Sequence, residues 1–201
     1  MMDTQMYAKI VAFSIIFFVG VIVVSHFYTQ TAYDWTQNTI SELASQTHKY
    51  KWIMQSGFIG FGILLNAGLI VKYFELKRIN YPDVLIMLYG VAILVTGFYC
   101  EKPIDETISY SLPEARIHSI FAMVAGVCLS LGILWYLIAS VSASERIFHI
   151  AFLILVMGIS LGFGLSENEI IGVGKGLVQR SLYLVSFIWL FISQWYRFGN
   201  V

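Results

Sequence analysis

Residues 11–24 read VAFSIIFFVGVIVV, and residues 120–138 read IFAMVAGVCLSLGILWYLI. Neither stretch alternates apolar with polar side chains, as the strands of a membrane barrel do; both are apolar on every side, which predicts helices in an apolar solvent. The rest of the chain has the same character: 58% of its 201 residues are hydrophobic, 12% are charged and the mean hydropathy is +0.76. That is far more apolar side chain than a soluble domain of this length needs for its core. A hydrocarbon layer of roughly 30 Å takes about 20 residues of helix. Six apolar runs approach that length: Ala8 to Phe27, Trp52 to Phe74, Asp83 to Tyr99, Ile117 to Ser140, Arg146 to Leu165 and Leu177 to Tyr196. The expected fold is all-α, a single integral-membrane bundle of six transmembrane helices over residues 1–201. The first run has no small-x-small cleavage pattern before Ser25 and His26 and is read as a retained span.

The loops between these runs are unequal. Two connections, ELKRINYP and VSASE, are short; the segments Tyr28 to Lys51, Cys100 to Arg116 and Ser166 to Gly176 are longer. Loops carry function more often than the scaffold that holds them, so a site is expected at the long-loop end. Lys and Arg divide evenly between the two faces, while eight carboxylates fall with the long loops and four with the short ones. With Lys72, Lys77 and Arg78 clustered at one short connection, both termini are expected on the cytoplasmic side.

The segment CEKPIDETISYSLPEARIH, residues 100–118, holds four of the chain's 12 acidic residues. Capping explains part of the acid. Thr39-x-x-Glu42, Ser111-x-x-Glu114, Ser142-x-x-Glu145 and Ser166-x-x-Glu169 all have capping-box spacing, and Glu114, Glu145 and Glu169 are read as caps. Gly172, Gly174 and Gly176 belong to no phosphate loop and are read as a flexible turn. Gly57, Gly60, Gly62 and Gly68 in the second run, with Gly158, Gly162 and Gly164 in the fifth, are expected to allow close helix packing. Asn66 is expected to bond across helices. His118, four residues after Glu114, is either an interfacial histidine bonded to a loop carbonyl or part of a site facing the bundle interior. Arg180 opens the last run and must snorkel or find a carboxylate or phosphate.

TISELASQTHKYKWIMQSGFIGFGILL, the join from the acidic loop into HSIFAMVAG, and GLVQRSLYLVSFIWLF together resemble a bacterial and archaeal membrane family, domain of unknown function 998, over nearly the whole chain. The resemblance implies an Ile-Ser-x-Leu motif at Ile40, Ser41, Glu42 and Leu43, a Pro-x-Asp motif at Pro103, Ile104 and Asp105, a helix-opening histidine at His118 and an arginine at Arg180. One departure is the insertion of Cys100, Glu101 and Lys102 between Tyr99 and the proline, which leaves the place of Glu101 in that pattern open. The resemblance implies a six-helix membrane fold and no particular reaction.

Ser41, Glu42, Glu101, Asp105, His118 and Arg180 therefore come from separate segments yet map to one membrane face, where they are read as a convergent ligand-binding pocket. The alternative is that Asp105 and Glu106 are solvated loop charges and Arg180 pairs with Glu101 to fasten helices. Three functions follow. A binding or transport protein would hold an anionic headgroup on Arg180 and His118, with Trp35, Tyr99 and Tyr110 against its apolar part. A membrane hydrolase or lipid-modifying enzyme would use Glu101, Asp105 and His118. A structural or sensor protein would need none of these. The favoured reading is binding of a membrane lipid or small anionic amphiphile in a prokaryotic cell membrane. No cofactor, metal or nucleic acid is expected: His26, His48, His118 and His149 lack His-x-x-x-His or Glu-x-x-His spacing, and no Gly-x-Ser-x-Gly elbow occurs. Cys100 and Cys128 lie too far apart in depth to bridge. Oligomeric state is left open.

Overall fold

The computed structural model describes residues 6–105 and 107–195. Asp3, Glu106, Tyr196 and Arg197, used above in placing charges and the end of the last span, lie outside the described residues. Six helices form: α1 (Met6–His26), α2 (Lys51–Leu76), α3 (Tyr81–Phe98), α4 (Leu112–Ala139), α5 (Ala143–Glu167) and α6 (Lys175–Trp195). Each is long and apolar enough to cross a membrane, and the chain is an integral membrane protein. Helices adjacent in sequence pack together, and α6 closes back onto α1.

The inner faces are aromatic. Phe18 of α1 is fully buried and packs against Phe58 and Phe61 of α2 and Tyr183 and Phe187 of α6, with centroid separations of 5.3–5.6 Å. Glycines let α2 approach its neighbours as lipid-embedded packing requires: a Cβ on Gly57 or Gly68 would meet Val21 or Val11 of α1 at 2.8 Å. A Cβ on Gly62 would meet the backbone carbonyl of Gly90 in α3 at 2.5 Å. The fifth span differs from expectation. Gly158 and Gly164 have open space beside them, because α5 is the least buried helix and flanks a cavity. Asn66 also differs: its amide donates to the Gly62 carbonyl one turn back at 2.8 Å, within its own helix.

Helix ends follow the sequence in part. Pro82 and Pro113 occupy first-turn positions of α3 and α4. Ser142 and Glu145 form a full capping box on α5. Ser111, by contrast, makes no side-chain cap, and Glu114 instead accepts the Cys100 N–H at 2.9 Å. Ser166 and Glu169 straddle the end of α5, where Glu169 takes φ 57° and caps nothing.

The segment between α1 and α2 is where the structure departs most from the picture of a solvated loop. Ser41–Ala44 winds into a 3-10 turn, η1, with Ile40, Leu43, Ala44 and Ser45 almost fully buried in the end of the bundle. Thr39 and Glu42 cap this turn reciprocally: Glu42 Oε2 accepts the Thr39 N–H at 2.5 Å, and Thr39 Oγ1 accepts the Glu42 N–H at 3.2 Å. Gly174 and Gly176 make room for it. Any Cβ at those positions would collide with the backbone carbonyls of Thr36 and Asn38, so these glycines serve close approach rather than a loose turn.

Candidate functional site

Two polar clusters occupy opposite ends of the bundle. At the long-loop end, a cavity of about 1000 Å³ opens among α3, α4, α5 and α6, roofed by η1. Its depth is apolar, lined by residues such as Ile93, Leu129, Val156 and Leu182. Its mouth is charged, with Glu42, Glu101, Lys102, Arg116, Glu167 and Lys175. A space of that size with apolar walls and a few polar groups has the form of a small-molecule site.

On α6, residues at helical spacing decide which side chains reach this space. Lys175, Gln179, Leu182, Tyr183 and Ser186 form one stripe and line the cavity. Lys175 Nζ lies 3.0 Å from Glu42 Oε1, and Gln179 Oε1 accepts the Ile40 N–H at 2.6 Å, so the stripe also anchors η1. Asn38 Nδ2 donates to the same Glu42 at 3.3 Å. Arg180 falls a step round the helix and points to the segment after α1. Its guanidinium donates to the carbonyls of Asn38 and Gly176 at 2.9 Å and to Tyr33 Oη at 2.6 Å, and lies 3.1 Å from His26 Nε2. It therefore pairs with neither Glu101 nor Asp105. Burial pushes the Tyr33 phenol above its ordinary value, and the nearby guanidinium pulls it back.

Of the residues expected to converge, Ser41, Glu42 and Glu101 line the cavity, and His118 stands directly behind Glu101. Arg180 and Asp105 do not line it. Asp105 is exposed and accepts from Thr107 N and Oγ1 at 3.0 and 2.6 Å, bonds that hold its carboxyl below the usual value. Tyr110 lines the mouth, whereas Trp35 and Tyr99 do not. Sequence reasoning did not single out Lys175, Gln179 or Arg116; the i, i+4 spacing of the first two was the available signal. Arg116 is exposed at the mouth and belongs to no ion pair among the described residues.

At the short-connection end lies a network that the sequence counted only as boundary charges. Lys72 of α2 and Asp83 of α3 are each 8% exposed and pair at 2.8 Å. Lys72 Nζ also donates to Tyr136 Oη of α4 at 3.2 Å and Gln194 Oε1 of α6 at 2.8 Å. Tyr136 donates to Asp83 and accepts from Asn80 Nδ2 at 3.0 Å. Nearby, Trp189 Nε1 donates to His149 Nδ1 at 3.1 Å. Among the described residues no group of three or more His, Cys, Asp or Glu could hold a metal ion, and Cys100 and Cys128 are both free thiols.

The bundle and its cavity thus define a six-helix membrane protein with a charged-mouthed, apolar recess. The profile of the family described as "Protein of unknown function (DUF998)" matches residues 11–196, and the chain belongs to that family. No curated protein and no solved structure matches it.

Proposed function

We infer that the protein binds an anionic amphiphile, with the apolar part in the recess among α4, α5 and α6 and the headgroup at the mouth beside Arg116 and Lys175. The observation that carries this reading is the cavity itself, about 1000 Å³, with apolar walls at depth and the cations Arg116 and Lys175 at its mouth. A guanidinium that pairs with no carboxylate among the described residues is matched by a carboxylate, sulfonate or phosphate oxygen pair. Glu42 and Glu101 set the limit on how much anion the mouth accepts. A ligand that binds only the folded protein raises its stability by mass action. Thermal unfolding of the chain in phosphatidylcholine nanodiscs, with and without phosphatidylglycerol, tests the reading. Phosphatidylglycerol is expected to raise the melting temperature of wild type and to have little effect on Arg116→Gln. Equal shifts in both, or none in either, contradict it.

A second reading, a membrane hydrolase or lipid-modifying enzyme, draws on the Glu101–His118 contact of 3.5 Å in the cavity wall. Turnover of the phosphatidylglycerol headgroup, followed by phosphorus NMR and lost in Glu101→Gln, is its test. The reading also includes a prokaryotic cell membrane with both termini cytoplasmic, supported by the excess of carboxylates in the long loops and by Lys77 and Arg78 on a short one. Lys72 and Arg180 are both engaged inside the fold, so each face loses one loop cation and the basic residues stay balanced. Single cysteines at Asp105 and Glu167 are expected to react with an impermeant thiol reagent in intact cells, and one at Lys77 is not. The reverse pattern inverts the topology.

A further inference from the structure

His118 is 1% exposed, packed edge-on against Phe58. Its Nδ1 lies 3.0 Å from the Thr96 carbonyl oxygen and 2.8 Å from that of Tyr99, at the C-terminal end of α3. A carbonyl oxygen only accepts, so Nδ1 carries a hydrogen whether the ring is neutral or charged. The proton that this imidazole gains or loses is therefore the one on Nε2. That atom is buried with no hydrogen-bond partner among the described residues, and Glu101 Oε2 stands 3.5 Å from it, within ion-pair reach but short of hydrogen-bond geometry. With no proton between them, a buried nitrogen lone pair faces a carboxylate. One added proton makes the two atoms donor and acceptor.

Glu101 connects this ring to the cavity. Its Oε1 accepts the Lys102 N–H at 2.9 Å, its backbone carbonyl accepts the Gln46 N–H at 3.0 Å, and its side chain lines the mouth. The charged groups sharing this cavity are Lys102, Arg116, Glu167 and the Glu42–Lys175 pair at the mouth, with Glu114 and Lys51 around Cys100 behind it. Glu42 has Lys175, and Glu114 has the Cys100 N–H. Glu167 is exposed to solvent, which leaves Glu101 as the partly buried carboxylate that an anion drawn in by Arg116 must meet.

We propose that Glu101 and His118 form a proton-binding pair in the cavity wall, and that an anion entering the mouth is bound together with one proton. The proposal rests on the anion-binding reading and adds the ligand's companion. The proton comes from water at the mouth and resides between Nε2 and Oε2, with no bond made to the ligand. It removes the carboxylate's repulsion of the anion and gives the buried Nε2 the partner it lacks. Affinity for a fixed-charge anion then falls as pH rises, by up to about tenfold per pH unit where one proton is linked.

Two measurements on the full chain in phosphatidylcholine nanodiscs test this. The first is the ¹⁵N spectrum of His118 without added anion, in which Nδ1 is expected to stay protonated at every pH. A bare Nδ1 with a protonated Nε2 overturns the proposal whatever the chain binds. The second is the rise in melting temperature produced by phosphatidylglycerol or by inorganic sulfate, both of fixed charge, from mildly acidic to mildly alkaline pH. Wild type is expected to show a rise that shrinks with increasing pH, and Glu101→Gln, already neutral, one that does not. His118→Asn should flatten the pH dependence as well. A pH-dependent rise with phosphatidylglycerol alone supports the proposal with a lipid headgroup as the anion, and one that sulfate reproduces supports it with a free anion. A rise of equal size at every pH in wild type, or the wild-type slope retained in Glu101→Gln, overturns the proton pair while leaving anion binding intact. No rise with either anion at any pH overturns both.

Discussion

The two ends of the bundle use similar side chains to opposite effect. At the short-connection end, the ammonium of Lys72 meets Asp83, Tyr136 and Gln194, each on a different helix, so its three donors are all taken. At the long-loop end, among the described residues, Arg116 has no counter-ion and His118 Nε2 no hydrogen bond, and about 1000 Å³ of space lies beside them. A closed network ties helices together, whereas an open one leaves interactions for something else to complete. Arg180 shows that position alone does not decide between these roles. It lies at the open end, yet its donors are consumed by Asn38, Gly176 and Tyr33, so it belongs with the fasteners.

The contrast breaks first at Lys72. Lys72→Met strands the buried Asp83 carboxylate and is expected to cost about 3–5 kcal/mol, with much of the loss recovered by adding Asp83→Leu. Chemical unfolding in detergent micelles measures both, and a single variant as stable as wild type would show the network to be slack. Arg180→Ala is expected to cost about 2 kcal/mol or more, because it orphans carbonyls and the Tyr33 hydroxyl. Its response to phosphatidylglycerol should survive; loss of that response at unchanged stability would move Arg180 from fastener to site. Arg116→Gln lies at the other extreme, with stability expected within about 0.5 kcal/mol of wild type. The smallest effect concerns Asp34, exposed after α1, whose carboxyl is held below its usual value by hydrogen bonds from Thr36 Oγ1 and N. A depressed carboxylate adds stability above its ordinary pKa and loses it as pH falls through the lowered folded value. Thr36→Ala should weaken that acid dependence slightly, and an unchanged acid limb of the melting curve would count against it.

How far the sequence reached follows the kind of interaction involved. The six spans are legible because lipid demands long apolar runs, and each observed helix falls within a few residues of its predicted limits; the largest difference is α4, which starts at Leu112 rather than Ile117. The burial of η1 was carried by Ile40, Leu43 and Ala44 at i, i+3, i+4 spacing, but polar neighbours such as Ser41, Glu42 and Gln46 made the stretch read as a loop. Ser41, Glu42 and Glu101 line one cavity, and His118 lies against Glu101. Arg180 and Asp105 stand apart because their partners are backbone carbonyls and a local threonine, which no spacing of charges reveals. Lys72 and Asp83 escaped notice for a related reason: at the ends of apolar runs they look like boundary residues until the tertiary fold brings Tyr136 and Gln194 against them.

The central claim is that the recess holds the apolar part of a ligand, and Gly126 gives access to it. Gly126 lines the cavity in the middle of α4, and a Cβ there would meet nothing within 4 Å. Gly126→Leu therefore adds bulk at the recess from a position with room for its Cβ, and replacing glycine inside a helix favours the helix by up to about 1 kcal/mol. Native mass spectrometry of the protein released from nanodiscs containing phosphatidylglycerol should show a retained lipid on wild type. It should show none on Gly126→Leu, which melts at or above the wild-type temperature. A Gly126→Leu protein that folds normally and keeps the same lipid would contradict the account.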